Sequence, residues 1–224
     1  MINFRTETLP KSRKFYQTIA ILIAFYLFWT IRGWAYYNLF SITDASQFWF
    51  GSITKFLGWP FFCLLMLRWW YPETWSSKSG LEVFNKTTIF WTVLSIAILG
   101  SYALIDYNLN PQIYFINSPD LSFRFLLENI AIGVLEEFLF RGFIQPFMVD
   151  HFGKTIGILI QAALFMMIHW CWWVFAGVFS WDGSLFIFGL GLFWGILSEI
   201  SKSIYPSAIT HFGWNYALGL LGIK

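Results

Sequence analysis

Seven stretches of this chain are apolar for long enough to cross a lipid bilayer, and that decides most of what it can fold into. A span needs roughly 20 residues at a rise of 1.5 Å each. The runs at about 15–36, 48–71, 88–105, 121–149, 154–179, 183–201 and 203–222 meet that length. The expected fold is therefore all-α: a polytopic membrane protein of about seven transmembrane helices. Composition agrees, since only 12% of the 224 residues are charged where a soluble domain carries about 25%. The 27 Phe, 14 Trp and 10 Tyr suit a protein that meets lipid headgroups at many helix ends. A balance of 14 basic against 12 acidic residues is too even for a nucleic-acid footprint, so the expected partners are the lipid bilayer and a membrane-associated protein or peptide. Cys63 and Cys171 both lie in apolar runs, where a thiol behaves as a small hydrophobe.

Flanking charge sets the expected orientation, because cytoplasmic loops collect Lys and Arg. Basic residues occupy the N-terminus (Arg5, Lys11, Arg13, Lys14), the 68–87 loop (Arg68, Lys78, Lys86), the 141–154 turn (Arg141, Lys154) and the 200–203 turn (Lys202). The alternate loops, 37–47, 106–120 and 180–183, carry Asp44, Asp106, Asp120 and Asp182 without a Lys or Arg. The N-terminus is thus expected in the cytoplasm, the first span is a retained signal anchor, and the expected location is a bacterial inner (plasma) membrane. The Asn- and Pro-containing segment 106–120 divides the chain into residues 1–120, three spans without a motif, and residues 121–224, a four-helix catalytic core.

Ionisable side chains inside a bilayer are tolerated mainly where they pair or line a wet cavity, and those of the second part form a set. In Leu135-Glu136-Glu137-Phe138-Leu139-Phe140-Arg141, Glu137 and Arg141 are four apart and share a helical face, so the guanidinium can hold that carboxylate ionised. Glu136 points about 100° away, free to face a cavity as a general base or acid. His169 follows Phe165 by four residues in the fifth run, and Asn215 follows His211 by four in the seventh. Phe165 can therefore wall a pocket beside His169, and His211 and Asn215 can point in one direction. Such a set suffices for hydrolysis: Glu136 and His169 to deprotonate water, His211 and Asn215 to donate to an oxyanion. Depth is less consistent. With Arg141 taken as the cytoplasmic end of its span, Glu136 lies about 7–8 Å in, His211 about 12 Å from Ser203, and His169 about 22 Å from Lys154.

The Glu-Glu-x-x-x-Arg, Phe-x-x-x-His and His-x-x-x-Asn runs, in that order on successive apolar segments, resemble the CPBP (Abi) family of membrane proteins. The resemblance covers roughly residues 121–222, with Glu136, Glu137, Arg141, Phe165, His169, His211 and Asn215 in the signature positions. It implies a glutamic-type intramembrane endopeptidase, CAAX protease-like, in which Glu136 and His169 activate water, His211 and Asn215 form the oxyanion hole, and Glu137 and Arg141 support the site. The same family includes proposed bacteriocin self-immunity proteins, so a non-enzymatic immunity or scaffold protein is the alternative. No cofactor is expected. Zinc is disfavoured because His-Glu-x-x-His is absent, no cysteine ligand is at hand, and an asparagine amide ligates zinc poorly.

Overall fold

The computed structural model describes residues 11–39, 45–111 and 122–221, and among these every regular element is a helix. Arg5, Asp44, Asp120 and most of the 106–120 segment lie outside the described residues. In order come α1 (Lys11–Asn38), α2 (Ala45–Trp70), the short α3 (Trp75–Lys78), α4 (Lys86–Leu109) and α5 (Phe123–Leu139), which runs through a π-helical turn (Phe140–Ile144) into α6 (Gln145–Phe152). Then follow α7 (Lys154–Ala176), α8 (Trp181–Ser201) and α9 (Tyr205–Leu220). Five of them, α1, α2, α4, α7 and α8, are long and apolar enough to cross a membrane. The fourth and seventh apolar runs fold as the interrupted α5–α6 rod and as the 16-residue α9. The expected count of seven thus has five helices that qualify by length and composition.

Local chemistry sets the ends. Ser122 and Ser180 cap α5 and α8 by accepting from the backbone N–H groups of Phe125 and Gly183, and Asn85 forms a capping box with Thr88 at α4. Gly177 ends α7 in the left-handed conformation (φ 70°) that glycine adopts without strain.

Lipid tails offer helices no hydrophobic incentive to associate, so close packing and polar contacts must hold a bundle together. Gly133 of α5 lies where a Cβ would come within 2.6 Å of the Phe212 backbone of α9, and Gly157 of α7 is equally tight against Val149 of α6. Gly191 and Gly195 bring α8 onto Ala162 and Gln161 of α7, the close approach expected from their small-xxx-small spacing. Polar bonds add to this: Tyr26 donates to the Leu164 carbonyl at 2.7 Å, and Trp194 Nε1 donates to Thr210 at 3.1 Å. Outward-facing Ile23, Leu27, Phe90, Val93 and Leu104 form the surface that acyl chains cover.

At the basic end, Tyr71 donates to Asp150 at 2.7 Å, Lys78 pairs with Asp150 at 3.0 Å, and Lys154 and Lys202 both reach Glu199. Burial and the Asp150 contact push the Tyr71 phenol well above its usual pKa, so it stays a donor at any physiological pH. These contacts join the turns that the charge pattern placed on one side.

Arg141 is not at that end. It is 2% exposed within the π turn, and its rod continues to Phe152. Glu136 therefore lies near the middle of the α5–α6 rod, about 20 Å from Phe123 and about 24 Å from Phe152 along the axis. α7 starts at Lys154 and not near Ile158, so His169 lies about 22 Å along its axis. What fails is the use of Arg141 as an interface marker. The start of α9 is recessed too: Ser203 and Ile204 are buried, a Cβ on Gly80 would sit 3.2 Å from Ile204, and Tyr205 donates to the Leu81 carbonyl. Ser203 is thus no surface marker from which to count to His211.

Candidate active site

Glu136, His169 and Asn215, from α5, α7 and α9, line a single cavity of about 550 Å³. Its other walls come from the second half of α1 and the first half of α2, so it occupies the half of the bundle away from the basic turns. Glu136 is 5% exposed and interacts electrostatically with Lys55, His211 and His169. One of its oxygens accepts from Lys55 Nζ at 2.5 Å. The other, Oε2, has no hydrogen-bond partner among the described residues.

His169 is oriented by its own helix. Its Nδ1 lies 2.9 Å from the Phe165 carbonyl, an oxygen that can only accept, so Nδ1 carries the proton and neutral His169 keeps its lone pair on Nε2. The Phe165 ring meets the imidazole edge to face at 5.1 Å.

Behind the cavity wall lies a buried polar layer. Glu137 is wholly buried, and its Oε1 accepts from Arg141 Nη1 at 2.9 Å and from His211 Nδ1 at 2.8 Å. The i,i+4 pair is thus formed as the spacing anticipates, and it extends to a third helix. Arg141 also donates to the Gly191 carbonyl at 3.1 Å and lies 4.4 Å from the Phe165 ring centroid. His211 is sandwiched: Trp194 stacks on it at 4.0 Å between centroids and Phe165 meets it edge-on at 5.7 Å. Phe165 therefore backs both imidazoles rather than walling the cavity beside one. His211 and Asn215 also part company, since Asn215 faces the cavity while His211 is 3% exposed and turned to Glu137.

Several residues of the cavity wall lie outside the expected set. Lys55 and Arg32 line the cavity, although residues 1–120 carry no motif. The available signal was a cation inside each of the first two apolar runs, away from the basic end. Glu128, Trp172 and Trp173 also face the cavity. Among the described residues no three His, Cys, Asp or Glu side chains gather as a metal-ligating group.

The comparisons bear on the second half of the chain. Residues 118–217, just under half of its length, match the family model described as Type II CAAX prenyl endopeptidase Rce1-like. No curated protein and no solved structure matches the chain.

Proposed function

We propose, taking as premise that residues 118–217 belong to the Type II CAAX prenyl endopeptidase Rce1-like family, that this multi-pass membrane protein hydrolyses a peptide bond of a membrane-associated protein or peptide through water activated by Glu136 and His169. The observation that carries the reading is that Glu136, one of whose oxygens has no hydrogen-bond partner among the described residues, and His169 line the same cavity. A water held between Glu136 Oε2 and His169 Nε2 gives up a proton to this pair as its oxygen attacks the scissile carbonyl carbon. The same proton then returns to the leaving amine as the C–N bond breaks. Lys55 holds the carboxylate in place throughout.

The carbonyl oxygen, now an oxyanion, takes a hydrogen bond from the Asn215 amide. His211 stands behind the cavity wall with its Nδ1 proton committed to Glu137, so it joins Asn215 only when the substrate opens a path to its Nε2, and only the doubly protonated ring can then donate. Arg141 and Phe165 support it from behind.

No metal has a role in this scheme, and chelator treatment of the purified protein is expected to leave proteolysis intact. Activity lost to a chelator and restored by Zn²⁺ reverses that. The direct test is a comparison of membrane peptides from cells carrying the wild-type chain and the Glu136→Gln variant. Cut products present only with the wild type are expected. Identical peptide sets, or Glu136→Gln and His169→Ala variants that keep full biological function, return the chain to an immunity or scaffold role.

A further inference from the structure

Of the two donors expected to meet the oxyanion, only Asn215 lines the cavity, because His211 is turned to Glu137 behind the wall. A site that develops negative charge away from water gains most from a fixed donor, and more from one that carries a positive charge. Lys55 of α2 is such a group. It lines the cavity with Glu136, His169 and Asn215, and it interacts electrostatically with both Glu136 and His169. Two contacts hold its head in place. Nζ donates to Glu136 Oε1 at 2.5 Å, and it lies 5.1 Å from the ring centroid of Trp59, itself 1% exposed. Glu136 takes one of the three N–H donors of the ammonium, and no second acceptor bonds to Nζ among the described residues.

Charge movement during the reaction gives the spare donors a use. As a lone pair of the water forms the new C–O bond, the carbonyl π pair moves onto its oxygen and the water proton goes to the Glu136–His169 pair. That pair becomes one unit less negative and the substrate oxygen one unit more. The pull of the ammonium therefore shifts toward the substrate, and an interaction that strengthens on the way to the transition state is the kind that accelerates a reaction. Distance permits the contact. Nζ holds one oxygen of the Glu136 carboxylate and the attacking water the other, and the oxyanion forms on the carbon to which that water adds. We propose that Lys55 is a catalytic residue, the second oxyanion donor beside Asn215, which binds the tetrahedral anion through an N–H that Glu136 leaves free. This rests on the endopeptidase reading above and deepens it. Lys55 lies outside residues 118–217, so the family match does not supply it.

The test uses two uncleavable analogues of a fluorescent S-farnesyl CAAX-type peptide. In one a phosphinate, a stable tetrahedral anion, replaces the scissile amide; in the other a hydroxyethylene group keeps the tetrahedral shape without the charge. Binding to the purified full chain in nanodiscs is read by anisotropy in a Glu136→Gln background, where the amide imitates the protonated carboxylate. That chain is expected to bind the phosphinate about 10- to 100-fold more tightly than the neutral analogue, the range for a hydrogen bond to a charged group. Adding Lys55→Met brings the ratio to near one, and Lys55→Arg keeps part of it. A ratio near one with Lys55 present, including no detectable binding of either analogue, overturns the proposal. So does a ratio that Lys55→Met leaves unchanged, the behaviour of a lysine that serves only to hold Glu136. An equal fall on adding Arg32→Gln overturns it too, since cavity charge at large then attracts the anion. Turnover of the cleavable peptide is followed separately, and Lys55→Met is expected to lower kcat by about 10²–10³-fold with KM little changed. Wild-type kcat in Lys55→Met removes the lysine from the chemistry and leaves the peptidase reading intact. Lys55-dependent phosphinate binding by a chain that cuts neither this peptide nor any cellular one overturns the peptidase reading, and the catalytic role with it.

Discussion

Glu136 and Glu137 are neighbours with different surroundings, and the difference makes their substitutions separable. Glu136→Gln removes the base and keeps its size and an acceptor for Lys55, though not the charge that balances it, so turnover is expected to vanish in a protein that still folds, somewhat less stable than wild type; His169→Ala likewise abolishes turnover. Asn215→Ala removes one oxyanion donor and should lower kcat by about 10²–10³-fold. Substantial wild-type turnover by Glu136→Gln would remove the carboxylate from the chemistry. Glu137→Ala is a structural lesion instead, because it strands a wholly buried Arg141 and frees His211. Breaking such a pair costs about 3–5 kcal/mol, which denaturation in detergent can read. Stability equal to the wild type would show the Glu137–Arg141–His211 contact to be dispensable. This pairing was legible in the sequence, since residues four apart on a helix meet whatever the rest of the fold does. The Lys55–Glu136 pair was not, for its partners lie 81 positions apart and no helical periodicity relates them.

Helix α9 carries both His211 and Asn215, and Gly133 of α5 sets how closely it lies. Gly133→Ala would drive a methyl group into the Phe212 backbone. Overpacking of that kind costs about 1–3 kcal/mol, and any shift of α9 moves both proposed oxyanion donors together. The variant is expected to melt earlier and to lose activity in parallel; activity retained at a lowered melting temperature would mean that α9 position is not limiting. The π turn after α5 is the element least readable in advance. Its sequence signal is Pro146, which has no N–H for the Gly142 carbonyl four residues back and so disturbs the ladder inside Phe140–Ile144, but a residue count along the run gives Arg141 the look of an interface charge. The turn instead carries the rod onward and keeps the guanidinium inside, facing Gly191 and Phe165. Existence and order of the helices followed from apolar length, whereas depth did not, because depth depends on where a rod ends and on what covers a turn such as 202–205.

The cavity is closed by both parts of the chain. Trp29, Arg32, Ser52 and Lys55 from α1 and α2 face Glu136, His169 and Asn215, so the stretch without a motif supplies a wall. It also lies in the half of the bundle remote from Lys78, Lys154 and Lys202. The expected arrangement, with those basic turns in the cytoplasm, is tested in a Cys171→Ser background, which leaves only the buried Cys63. A cysteine introduced by Ser52→Cys should react in intact cells with a maleimide that cannot cross membranes, and one introduced by Lys78→Cys should react only after lysis. The reverse pattern would turn the whole molecule over. Should labelling place the basic turns inward, the cavity belongs to the outer half of the bundle, and a client would have to reach past the mid-plane to meet Glu136.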